Sequence, residues 1–171
     1  VSTPWTTPQK STRIVYSQSA CVALAIGPKS AMSTAQDARP KLYDPDASAE
    51  RDIQNTVQEA AASGKHVMIQ AGGNWCGWCI EFDRFCKADR QIDSLLKADY
   101  KICRLNYSKE NLNKPVFAAM GFPQRFGFPV FMILDGKGNL IHTQNSAYLE
   151  KGKSYDREKV MEFLASWNSN S

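Results

Sequence analysis

An α/β fold, with a mixed central sheet covered by helices on both faces, is what this sequence predicts. Three observations carry the prediction. Stretches of helical periodicity alternate with short apolar runs from about residue 46 to residue 167. A strand–helix–strand passage calls for a parallel pair with a right-handed crossover. A tight turn, Asp135-Gly136-Lys137-Gly138, joins two further apolar runs and calls for an antiparallel pair.

Residues 1–40 read as a tail or linker, rich in Ser, Thr, Ala and Pro, ahead of a domain at 41–171. Within the tail, Lys10 and Arg13 precede an apolar stretch from Ala20 to Ile26, and small residues follow from Ser30 to Ala35. Basic, then apolar, then small is the order of an export signal, although Pro28-Lys29 interrupts it. Pro40 to Pro45 reads as an extended lead-in. Over 46–63, Ile53, Val57, Ala60 and Ala61 recur at helical spacing, with Asp46 or Ser48 to cap the start and Gly64 just past the end. His66 to Ala71 reads as a strand. A helix over 76–87 carries Ile80, Phe82, Phe85 and Cys86, and a second over 90–98 carries Ile92, Leu95 and Leu96. Tyr100 to Asn106 is the next strand. Pro115 and Gly121 bracket a short helix. Phe128 to Leu134 and Asn139 to Gln144 are the two strands of the hairpin. Residues 145–155 read as a polar loop. Asp156 caps a last helix in which Val160, Phe163, Leu164 and Trp167 share one face.

Between the first strand and the helix that follows lies Trp75-Cys76-Gly77-Trp78-Cys79. Two cysteines at this spacing either close and reopen a small disulfide ring or supply half of a tetrahedral metal site. If Cys76 opens the helix, its sulfur lies over unpaired backbone N–H groups at the positive end of the dipole. That raises the thiolate fraction near neutral pH, and the thiolate is the species that attacks a disulfide. Cys79, one turn on, is placed to resolve the resulting mixed disulfide. Trp75 and Trp78 are expected to flank the pair as a flat apolar surface for an unfolded or peptide substrate.

The other cysteines number three, Cys21, Cys86 and Cys103, so the total of five is odd and a static disulfide scaffold is not expected. Cys86 and Cys103 read as buried free thiols, with a bond between them as the alternative. The two histidines, His66 and His142, form no paired short-spaced ligand motif, and there is no second Cys-x-x-Cys, so no metal is expected. Basic and acidic residues number 21 and 17 and are interspersed, which argues against nucleic-acid binding. No apolar run approaches the roughly 20 residues of a membrane helix.

The order of elements and these residues resemble the thioredoxin superfamily over about Asp46 to Trp167. Gly73-Asn74-Trp75-Cys76-Gly77-Trp78-Cys79 and Gln124-Arg125-Phe126-Gly127-Phe128-Pro129 are most similar to exported bacterial thioredoxin-like and disulfide-isomerase-like proteins of the Bacteroidetes type. The resemblance implies a thioredoxin fold with an extra N-terminal tail. It makes Cys76 the attacking cysteine, Cys79 the resolving one and Pro129 a cis-proline facing the pair. Trp75, Gly77, Trp78, Phe128 and Pro129 become the substrate-contacting set. Two positions depart from the family. Gln70 stands where a buried Asp usually helps move protons, leaving water or another group, with Glu81 a candidate by proximity in sequence. The dipeptide between the cysteines is Gly-Trp, without the His of disulfide isomerases, which tilts the reading toward a reductase.

The expected function is thiol–disulfide exchange with protein substrates, as a reductase or isomerase. No cofactor is required, because the dithiol stores the electrons. A separate redox partner must reset the pair. The resemblance and the tail place the protein in the periplasm or otherwise outside the cytoplasm, with a cytoplasmic thioredoxin as the alternative. Competing functions are a non-enzymatic module that holds unfolded or apo-protein clients, and a metal-delivery protein using Cys76 and Cys79.

Overall fold

The computed structural model describes residues 41–170; the tail at 1–40, with its export-like segment and Cys21, lies outside the described residues. Elements follow in the order α1 (Ala49–Ser63), β1 (His66–Gly72), α2 (Gly77–Ala88), α3 (Arg90–Asp99), β2 (Tyr100–Asn106), α4 (Lys114–Ala119), β3 (Val130–Leu134), β4 (Leu140–Asn145), β5 (Glu150–Lys151), β6 (Ser154–Tyr155) and α5 (Arg157–Ser166). The main sheet has the order β2-β1-β3-β4. β1 and β2 are parallel, while β1–β3 and β3–β4 are antiparallel. The mixed sheet follows from the crossover through α2 and α3 and the tight turn after β3.

β1 lies at the centre, paired on both edges and covered on both faces, which is why it reads as an almost unbroken apolar run. Its alternate residues serve different cores. Val67, Ile69 and Ala71 join Ile53 and Ala60 of α1, Val116 and Phe117 of α4, and Val130, Met132 and Leu134 of β3. Met68 faces the other way, with Phe82 and Cys86 of α2, Ile92 and Leu96 of α3, and Val160, Phe163 and Leu164 of α5. Burying one such large aliphatic or aromatic side chain contributes about 1.5–3 kcal/mol. One polar residue sits among them: Gln70 is fully buried in β1.

Local signals act much as expected, with corrections. Gly64 ends α1 in the left-handed conformation, φ 65°, and its N–H donates to Ala60 and Ala61. Ser48 occupies the position before α1, but its side chain makes no capping bond, and Asp46 does not cap either. Glu50 and Asp52 in the first turn complement the helix dipole instead. Asp156 caps α5 by accepting from Glu158 and Lys159 N–H. The hairpin strand begins at Val130 rather than Phe128, because Phe128 and Pro129 form an entry segment with a cis peptide bond.

Residues 145–155 are not a loop. Ser146–Leu149 is a 3-10 turn, and β5 and β6 pair as a small hairpin. Leu149 and Tyr155 are buried against α2, and the Tyr155 hydroxyl donates to the Trp78 carbonyl at 3.0 Å. Cys86 and Cys103 do not pair. Cys103 faces α1 and Cys86 faces the opposite core, so the sheet stands between them and their side chains point apart.

Candidate active site

The loop after β1 turns at Gly73, whose carbonyl accepts from the Cys76 N–H at 2.9 Å. Cys76 then takes the cap position of α2, with extended backbone at φ −86° and ψ 101°. Its sulfur accepts the Cys79 N–H at 3.1 Å, filling the place that a Ser or Asp side-chain oxygen takes at other helix starts. Cys76 and Cys79 are joined as a disulfide, with Cα atoms 5.3 Å apart. Cys79 is fully buried and Cys76 is 4 % exposed.

The hairpin brings the cis peptide bond to the pair. Val130 pairs with Ala71, so Pro129 stands level with the end of β1, where the loop to Cys76 begins. The half-buried Phe128 ring packs against the cluster of Cys76, Cys79 and Tyr43. Phe128 is held in turn by Tyr107 at 4.8 Å and by the edge of Trp75 at 5.6 Å between ring centroids. The indole N–H of Trp75 donates to the Tyr107 carbonyl at 2.7 Å, so the ring is tethered although 54 % of the residue is exposed. Gly77 is exposed, with nothing within 4 Å of where a Cβ would stand.

The expected surface of two tryptophans does not form. Trp75 alone is open. Trp78 is half-buried, edge-on to Tyr155 at 5.5 Å. The β5–β6 hairpin covers it, and that hairpin was the segment with too few apolar residues to show a period.

Behind the disulfide runs a polar chain. The Gln70 amide donates to the Cys79 carbonyl at 3.1 Å, and its oxygen accepts from the Arg104 guanidinium. Arg104 also pairs with Asp83 of α2 at 2.6 Å, and Asp83 with Lys87 at 2.7 Å. Gln70 and Arg104 are register partners in β1 and β2. Gln70 in the apolar run of β1 was the available signal for this contact, but its partner in β2, which also carries Lys101 and Asn106, needs the register. Glu81 does not serve the site. Its carboxylate is held by Arg84 at 2.7 Å and by the Ser154 hydroxyl at 2.5 Å, and those two hydrogen bonds lower its pKa.

The lead-in segment closes the site from the remaining side. The Asn74 side-chain oxygen accepts from Leu42 N–H at 2.9 Å and Tyr43 N–H at 3.0 Å, and its amide donates to the Tyr43 carbonyl at 2.8 Å. This clamp sets Leu42 and Tyr43 over the cysteines. Neither Tyr43 nor the role of Asn74 was visible in the sequence, since one aromatic residue in a polar segment has no period. Gly72 makes room for the arrangement. A Cβ there would lie 2.3 Å from the Cys79 sulfur and 3.0 Å from the Tyr43 hydroxyl.

The histidines are elsewhere. His66 opens β1 at the end far from the cysteines, its Nδ1 2.9 Å from the Trp167 carbonyl oxygen. His142 stacks on the Trp167 ring at 4.1 Å. Among the described residues, no group of three His, Cys, Asp or Glu is placed to hold a metal ion, and no helix is long and apolar enough to cross a membrane.

No curated protein matches the chain. Among solved structures, a disulphide isomerase from Xylella fastidiosa Temecula1 superposes with a TM-score of 0.65 at 18 % identity, covering 74 % of this chain and 96 % of that one. That likeness shows the fold. Residues 48–136 match the family model described as Thioredoxin-like, a span that runs from the start of α1 through the cysteine pair and the cis-proline to the turn after β3. On that match over more than half its length, the chain belongs to the thioredoxin-like family.

Proposed function

We propose that this protein is a thiol–disulfide oxidoreductase of protein substrates, working through Cys76 and Cys79 as a reductase or isomerase. The observation that carries the reading is the disulfide at the start of α2, with the Cys76 sulfur accepting a backbone N–H and the Phe128–Pro129 cis bond level with it. A helix start favours the thiolate of Cys76 once the pair is reduced. Trp75 and Gly77 are the exposed part of the side on which an extended client would lie, the half-buried Phe128 borders it, and the buried Pro129 and half-buried Trp78 support it from beneath.

Reduction of a client takes two exchanges. The Cys76 thiolate attacks one client sulfur; a Cys76–client bond forms, the client disulfide breaks, and the released client thiolate takes a proton from water. Cys79 gives its proton to solvent and attacks the Cys76 sulfur. The ring closes, and the second client sulfur leaves as a thiolate. Two electrons pass to the client and stay there, and a separate redox partner supplies two more to reduce the Cys76–Cys79 disulfide again. In isomerisation, a client thiolate displaces Cys76 before Cys79 acts. The family resemblance and the export-like segment support a periplasmic or otherwise exported protein of the Bacteroidetes type, in which residues 1–40 are a tail and 41–171 one domain.

The test is the equilibrium of the pair with glutathione or dithiothreitol, with Cys79→Ser as control. The expected potential lies toward the thioredoxin end, about −270 mV, whereas about −180 to −120 mV would make the protein an isomerase or oxidant. Failure of Cys76 and Cys79 to form and release a disulfide would overturn the reading.

A further inference from the structure

We propose that Tyr43 is a positioning residue of this redox site. Its buried hydroxyl donates a hydrogen bond to the Cys79 sulfur once the disulfide opens, and holds that sulfur as a thiolate for the resolving step. The proposal rests on the function proposed above and adds a group to it.

Tyr43 is 3 % exposed; the Gln70 and Arg104 side chains approach its oxygen as donors, yet among the described residues no acceptor meets the hydroxyl's own proton in hydrogen-bond geometry. A buried donor left unmade is costly, so native proteins rarely keep one. The ring is not there by slack packing. The Asn74 side chain fixes its backbone, accepting from the Tyr43 N–H and donating to the Tyr43 carbonyl, and also accepts from the Leu42 N–H; the ring shares one cluster with both cysteines. The hydroxyl and the Cys79 sulfur face the same spot over Gly72, where a Cβ would touch both. A disulfide sulfur is a weak acceptor. A thiolate is a charged one, and hydrogen bonds to charged acceptors are about twice as strong as neutral ones. Reduction therefore creates the partner that the oxidised site lacks.

The surroundings favour a donor here. Arg104 on β2 lies nearest in charge to the hydroxyl, Asp83 on α2 opposes it but is itself paired with Arg104 and Lys87, and Tyr155 on β6 is a second neutral phenol. Gln70 on β1 is neutral and offers no carboxylate to take the proton. Burial raises the Tyr43 pKa well above its ordinary value, so the phenol keeps its proton and gives only a hydrogen bond. In the resolving step the Cys79 proton goes to solvent, the thiolate forms the bond to Cys76, and the electron pair of the broken Cys76–client bond leaves on the client sulfur, which is protonated by water. Tyr43 is unchanged throughout.

The test titrates Cys79 in the full chain by thiolate ultraviolet absorbance, comparing Cys76→Ser with Cys76→Ser/Tyr43→Phe. Both proteins also carry Cys21→Ser, and Cys86 and Cys103 stay silent over the useful range, their thiols pushed up to about 12 and about 11. The expected result is an upward shift of about one pH unit, which is about tenfold less thiolate at neutral pH. Client release from the Cys76 mixed disulfide slows by the same factor in Tyr43→Phe and recovers at alkaline pH, while alkylation of Cys76 in a Cys79→Ser background is unchanged. Phenylalanine keeps the ring and its packing. A change in melting temperature with no shift of the Cys79 titration or of the release profile overturns the proposal. If the Cys76→Ser/Tyr43→Phe variant fails to fold, the release profile of Tyr43→Phe alone decides. A wild-type protein that exchanges normally beside an unshifted Tyr43→Phe sinks this proposal only; a wild-type protein that never exchanges sinks the function.

Discussion

Two pairs of cysteines in this domain share a residue type and little else. Cys76 and Cys79 sit where a strand ends and a helix begins, with a backbone N–H aimed at one sulfur and a polar chain behind the other. Cys86 and Cys103 lie inside the two cores on opposite faces of the sheet, and burial pushes their thiols up to about 12 and about 11. Burial alone does not separate the pairs, because all four residues are at most 4 % exposed. What differs is what surrounds the sulfur: backbone donors at a helix start, or apolar side chains. The thiolate is stabilised in the first setting and penalised in the second.

That contrast can be broken most sharply by labelling. With the protein folded and reduced at about pH 8, roughly one Cys86 in ten thousand and one Cys103 in a thousand is ionised. Iodoacetamide is expected to modify Cys76 at least about a thousandfold faster than either, as read by peptide mapping against a denatured control. Comparable rates for Cys76 and Cys86 would dissolve the distinction.

A smaller effect appears in stability. The two core thiols keep their protons in the folded protein up to about 11 and about 12, but release them from about 9.0 when unfolded. Above that value the folded state binds more protons, so its advantage is whole below it and is lost as pH rises. Each thiol contributes a fall of about 1.4 kcal/mol per pH unit within its window. Urea midpoints followed from pH ~8 to pH ~11 should decline, and Cys103→Ala should remove one such component between about 9 and 11. An identical slope in the variant would mean that burial is not what holds the proton.

The smallest effect is expected at Glu81, near the pair in sequence and engaged elsewhere in space. Glu81→Gln removes an exposed ion pair with Arg84 and should alter exchange rates by less than about twofold. A shifted pH profile of client release would return Glu81 to the site.

Much of this arrangement was legible because it rests on local patterns. The periods of α1, α3 and α5, the apolar runs of β1 and β3 and the turn at 135–138 each declare an element within one stretch of chain. The Cys-x-x-Cys spacing declares its own geometry, since three residues at a helix start bring both sulfurs together. What stayed hidden depends on contacts between distant segments. Tyr43 reaches the disulfide only through Asn74, 31 residues on in the chain. Arg104 meets Gln70 only when two strands align, 34 residues apart. The β5–β6 hairpin has two residues per strand, too few to carry an alternation, and it is held by Tyr155 against α2 rather than by its own pattern.

Gly72 and Gly77 bracket the redox loop and carry very different amounts of information. At Gly77 even a methyl group would enter empty space, so a randomised library should accept many residues there. At Gly72 the same methyl would strike the Cys79 sulfur at 2.3 Å and crowd the Tyr43 ring. One hydrogen atom is all that position can spare, so no single substitution leads away from it. The mutational paths open to this site therefore run through the client-facing turn, where specificity can drift, and stop at the floor beneath the sulfurs.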